Sequence, residues 1–154
     1  MPYEFSLKFI QSSFLADCVT LYVLNPGVTH QRERIMYFYQ PSQGHGLPHD
    51  PLNAIVGPRP IGWISSCDQA GQLNLAPYSF FNCFNYRPPI IGFSSNGWKD
   101  SVRNIVETKE FVWNLATRDL AEAMNQTSAT LPHDQDEFTF SGLTPAASQL
   151  VSAP

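Results

Sequence analysis

Residues 61–82 read IGWISSC, DQAG and QLNLAPYSFFN, and no other stretch constrains the fold as strongly. Two apolar runs flank four residues in which Asp68 and Gly71 stand where a short connection wants them. Apolar and polar residues alternate along the second run, the period of a strand with one buried face. The stretch therefore predicts an antiparallel hairpin with arms over 61–67 and 72–82. Thirteen prolines and nine glycines in 154 residues extend the constraint, because they hold helices short and connections tight. Eleven Phe and six Tyr suit a barrel or sandwich, where rings fill the inner faces of pleated sheets.

Further on, NYRPPIIGFSS places a short buried strand at IIGF, with Pro88 and Pro89 expected to prevent earlier pairing. KDSVRNIVETKEF predicts a helix capped by Asp100 or Ser101, with Val102, Ile105 and Val106 on one face. FVWNLA (111–116) reads as a strand. TRDLAEAMNQTS reads as a short helix opened by Thr117 and Asp119, with Leu120, Ala123 and Met124 inward. DEFTFSGLTP reads as a strand ending in a turn. The expected order is β-hairpin, β, α, β, α, β, a mainly β fold with short helices. Upstream, residues 1–35 have no clean period and read as an N-terminal extension outside the domain, an organelle leader or extra packed element being the alternative. Lys8 and Asp17 make that segment too polar for a membrane span, and a secretory signal is weakly supported. The domain is then expected over 36–154, entered by an extended arm, YFYQPSQGHGLPHDP.

Several function classes are disfavoured. The net charge is −4 and the few basic residues are scattered, which argues against a nucleic-acid partner. Cys18, Cys67 and Cys83 are odd in number and lack CxxC spacing, pointing to a reducing, cytoplasmic setting. His30, His45, His49 and His133 lie in loop-like stretches, and no metal site is expected. Cys67 and Cys83 sit in apolar strand contexts and read as small hydrophobes. No G-x-S-x-G elbow, Walker A loop or G-x-G-x-x-G turn is present.

The stretch GFSSNGWKDS (92–101) remains. It stands between a strand and a helix, where the first N–H groups of the helix lack internal partners. Ser94, Ser95 and Ser101 offer hydroxyls, Lys99 offers charge, and Gly97 lets backbone approach closely. A phosphate would be satisfied there, and so would an ordinary helix cap after a polar turn.

HDPLNAIVGPRPIGWISSCDQAGQLNLAPYSFFNCF, followed by PPIIGFSSNGWKDSVRNIVETKEFVWNLAT, DLAEAMNQTSA and DEFTFSGLTP, resembles the flavin reductase-like family of FMN-binding split barrels. The resemblance covers roughly 36–154, and it implies a Greek-key-like split β-barrel. Family domains continue with further strands, so the barrel is expected to be incomplete at the C-terminus. It also implies non-covalent FMN at a homodimer interface. Ser65 and Ser66 are the implied flavin or ribityl contacts. The backbone of Ala76, Pro77 and Tyr78 would border the ring, with Ser79 and Phe80 at its polar edge. Ser94 and Ser95 would meet the ribityl-phosphate, and Lys99, Asp100 and Ser101 would close around the phosphate, Asp100 by capping.

The implied activity is NAD(P)H-dependent flavin oxidoreduction, with hydride passing from nicotinamide to bound FMN and on to a small-molecule acceptor. No catalytic side chain is expected, because the chemistry belongs to the cofactor. A non-enzymatic FMN-binding electron carrier, or a truncated chain that only dimerises, stays open as the alternative.

Overall fold

The computed structural model describes residues 19–21 and 37–154. The extension expected over 1–35 therefore falls, apart from Val19–Leu21, outside the described residues. The described chain divides into two units, one ending at Gly57 and one spanning Pro58–Pro154.

In the first unit, β1 (Val19–Leu21) pairs antiparallel with β2 (Tyr37–Tyr39). The arm expected over 37–51 is not uniformly extended. Pro41–Gln43 form a 3-10 turn, and Asp50 starts α1 (Pro51–Ile55) by accepting from Asn53 N at 3.1 Å. Asp-Pro supplies both the side-chain cap and a first helical residue whose missing N–H costs nothing there.

The second unit opens on the expected hairpin. β3 (Gly62–Cys67) pairs antiparallel with β4 (Leu73–Tyr78), from Gly62↔Tyr78 to Cys67↔Leu73. Asp68 Oδ1 accepts from Ala70 N and Gln72 N, both at 2.8 Å, and Gly71 takes φ 84. These features close the turn. The second arm does not continue to Asn82 as one strand. It breaks at Ser79 and Phe80, and β5 (Phe81–Tyr86) leaves to pair with β6 (Pro89–Phe93). Pro88 and Pro89 do not prevent this pairing, since Tyr86 is opposite Pro89 and the hairpin turns just before it. In a two-stranded ladder a proline N can face outward without losing a bond.

β7 (Val112–Asn114) adds to the other side of β3, giving the antiparallel order β4-β3-β7. α2 (Asp100–Thr108) follows β6. A 3-10 turn (Arg118–Leu120) leads into α3 (Ala121–Gln126). The strand expected in DEFTFSGLTP is instead α4 (Glu137–Phe140). Asp136 decides the outcome, because its carboxylate accepts from Phe138 N at 2.9 Å and Thr139 N at 3.3 Å.

β3 is buried on both faces and separates two cores. Ile64, Tyr78, Phe81 and Ile105 pack on one side; Trp63, Leu75 and Phe138 pack on the other. Trp63 Nε1 also donates to Thr127 Oγ1 at 2.9 Å. Full burial of Ile64 contributes about 1.5–3 kcal/mol. Gly62 allows the kink after β4, because a Cβ there would lie 2.4 Å from the Phe81 ring. Among the described residues no helix is long and apolar enough to cross a membrane.

Candidate functional site

The break between β4 and β5 carries the end of NLAPYSFF to the start of FSSNGWKDS. Ser94 N donates to Phe80 O at 2.8 Å, one residue beyond the Phe81↔Phe93 pair of the hairpin. Ser79, Phe80 and Ser94 are exposed at this junction, and Ser95 is half-buried. The loop then turns at Gly97, where φ is 87, and Ser95 Oγ donates to Gly97 O at 2.9 Å. Lys99 Nζ comes within 5.9 Å of the Tyr78 ring centroid, and the Arg59 guanidinium stands 4.9 Å from that of Phe80.

The helix start differs from expectation, because neither Asp100 nor Ser101 caps it. Lys99 occupies the N-cap position through its backbone, and no side chain accepts a bond from the first turn. Asp100 Oδ1 turns instead to Arg103 at 2.9 Å and His133 Nδ1 at 3.1 Å. Ser101 faces the sheet. The first-turn N–H groups are thus left without side-chain partners, and the Arg103 guanidinium offsets the nearest carboxylate.

Behind the junction, α2 docks on the β3–β4 pair through a polar seam. Asn74 Nδ2 donates to Ser101 Oγ at 2.7 Å, and Asn104 Nδ2 donates to Ser66 Oγ at 3.3 Å. Ser65, also fully buried, receives Asn114 Nδ2 at 3.0 Å and donates to the main-chain oxygen of Pro154. The structure therefore brings Tyr78, Ser79, Phe80, Ser94, Ser95, Lys99 and Asp100 together. Ala76 and Pro77 are half-buried just before them in β4, while Ser65, Ser66 and Ser101 lie in the interior. Arg59, Asn74 and Asn104 were given no role in the sequence. Two signals pointed to the asparagines: Asn104 is one helical turn beyond Ser101, and Asn74 is opposite Ser66 in the hairpin.

Tyr78 is the one large buried residue of the junction with a polar end. Burial pushes its phenol pKa up, while the neighbouring Ser101 and Ser95 hydroxyls pull it down. Neither completes a hydrogen bond with the phenol oxygen, which has no partner. Elsewhere, burial pushes Glu137 up, opposed by the bond its carboxylate accepts from Leu75 N at 3.0 Å. Burial likewise raises the Cys67 thiol, with Glu110 and Asp68 adding to the effect. Among the described residues no group of three or more His, Cys, Asp or Glu could hold a metal ion. Two cavities lie away from the junction. One of about 560 Å³ lies by the Asp68–Gly71 turn and the end of α2; one of about 230 Å³ lies beside Trp63 and Phe138.

An antiparallel β framework with short helices, built this way, is similar to that of split-barrel proteins. It superimposes on a split barrel domain protein of Shewanella frigidimarina with TM-score 0.63 at 28% identity, over 67% of this chain and 52% of that one. The chain belongs to the flavin reductase-like family: residues 57–154 match its "Flavin reductase like domain". It is also similar to nitrilotriacetate monooxygenase component B of Bacillus cereus, with TM-score 0.61 and 32% identity over 70% of this chain and 58% of that one. An uncharacterised protein of Aquifex aeolicus is 44% identical over 105 residues, 65% of this chain and 54% of the relative. The chain thus spans about half the length of such relatives.

Proposed function

We propose that the chain binds FMN and acts as an NAD(P)H-dependent flavin oxidoreductase on a small-molecule electron acceptor. The observation that carries this is the Ser94–Phe80 bond, which joins an aromatic, serine-bearing edge to an uncapped helix start beside Lys99. One end of the junction suits a flat ring and the other a phosphate. Lys99 and the first-turn N–H groups of α2 would hold the phosphate by charge and oriented dipoles. Ser94 and Ser95 would meet the ribityl chain, and Ala76 to Phe80 would border the ring. Ser65, Ser66 and Ser101 would support these groups from the seam behind them, and Asp100 would act through the backbone it anchors. When bound, FMN would supply the redox chemistry between a nicotinamide hydride donor and the acceptor.

The name of one solved neighbour, a monooxygenase component, is in keeping with redox work on small molecules. Ser79, Phe80, Ser94 and Lys99 are exposed at the junction, which favours a homodimer whose second copy covers them. Cys67 and Cys83 are free thiols, in keeping with a reducing, cytoplasmic location.

The test is reconstitution. After incubation with FMN and gel filtration, the protein should retain a flavin band near ~450 nm that NADH or NADPH bleaches. Retained flavin that neither nucleotide bleaches would replace the enzyme reading with an electron carrier. Failure to retain FMN would overturn the proposal.

A further inference from the structure

Tyr78 is 5% exposed, and its hydroxyl oxygen has no hydrogen-bond partner. Such a group is costly, because its bond to water is given up on folding and nothing replaces it. The ring is well held: Phe93 packs against it at 4.5 Å between centroids, and Ile64, Phe81 and Ile105 complete its surroundings. The hydroxyl end points to the Ser95 and Ser101 hydroxyls at the start of α2, with Lys99 near the ring. Ser101 Oγ receives Asn74 Nδ2 and Ser95 gives its proton to Gly97 O, and neither hydroxyl makes a hydrogen bond with the phenol oxygen. A donor is thus held beside an uncapped helix start and a lysine, and it lacks an acceptor.

We propose that Tyr78 is a specificity-determining residue: its hydroxyl donates to the terminal phosphate of the bound flavin nucleotide and thereby selects FMN over riboflavin. The inference rests on the flavin reading above and adds to it a side-chain contact where only backbone was expected. A phosphate oxygen arriving at the start of α2 meets three kinds of donor: main-chain N–H, the Lys99 ammonium and the phenol. Riboflavin has the ring and the ribityl chain but brings no acceptor to that position. The phenol keeps its proton at neutral pH, since its ordinary pKa of 10.0 already lies well above neutrality and burial pushes it higher, so the group is a donor under working conditions.

The experiment is a binding comparison of FMN and riboflavin, read by flavin fluorescence, for the wild type and Tyr78→Phe. The variant keeps the ring and removes an unsatisfied oxygen, so thermal unfolding without flavin should show it at least as stable. The wild type should prefer FMN. The variant should lose about tenfold in FMN affinity, the value of one charge-assisted bond, with riboflavin affinity unchanged. Inorganic phosphate should also compete with FMN less well in the variant. Equal FMN affinity in both proteins would overturn the inference and leave the flavin reading intact. So would equal losses for FMN and riboflavin, which would place Tyr78 under the ring. Binding of neither flavin by the wild type would overturn the flavin reading itself.

Discussion

At the residue scale, three polar side chains do different work although they were equally plausible ligands in the sequence. Lys99 is exposed at the helix start, so Lys99→Ala should lower FMN affinity about tenfold and leave the melting temperature unchanged. Ser101 is buried against Asn74, so Ser101→Ala should cost about 1–3 kcal/mol in chemical denaturation by leaving the Asn74 amide short of a partner. The reverse pattern, stability lost at Lys99 and affinity alone at Ser101, would exchange their roles. Glu137 was not singled out in the sequence, yet it satisfies Leu75 N on the outer edge of β4. Its raised pKa means that the folded chain holds the proton more tightly than the unfolded one. Its contribution is therefore full below the ordinary value of 4.5 and is lost as pH rises through the raised value. In pH-dependent denaturation Glu137→Gln should lack that decline relative to the wild type, whereas Glu137→Ala should lose about 1–3 kcal/mol at every pH by orphaning Leu75 N. Which serine faces a ligand and which faces a sheet was not legible, because both answers have the same local sequence.

At the element scale, the β3–β4 hairpin and α2 were readable because each carries a period and a boundary residue. α4 was misread because Phe138 and Phe140, two apart, imitate strand alternation; the cap at Asp136 was the competing signal, and it prevailed. The break after Tyr78 was hidden for a different reason. It depends on Gly62, sixteen residues before Tyr78 in the chain, letting the Phe81 ring lie on β3. Gly62→Ala should therefore destabilise by about 1–3 kcal/mol through overpacking. The loss would be seen as a lower denaturation midpoint. Weaker FMN binding should accompany it, because the Phe80–Ser94 junction starts at that break. A Gly62→Ala protein with wild-type stability would show that Phe81 can move aside.

At the scale of the whole molecule, every proposed contact lies in the Pro58–Pro154 unit. A chain restricted to that unit should retain FMN as tightly as the full chain in the same fluorescence assay; a marked loss would assign part of the site to residues before 58. Adding FMN should also shift the protein towards a dimer in sedimentation, since each flavin on an open surface would be closed over by a second copy. The family was legible from the joint spacing of several short segments. The assembly was not, because a single chain does not record how its surfaces meet. The seam of Asn74, Ser101, Asn104 and Ser66 has a consequence for how this molecule can evolve. A greasy joint between helix and sheet would adhere as well, but it would tolerate a slide of one helical turn, about 5.4 Å. Paired amides and hydroxyls fit in one setting only, so the joint works as a ruler. It keeps the helix start at a fixed distance from Tyr78 while the apolar residues around it are free to drift.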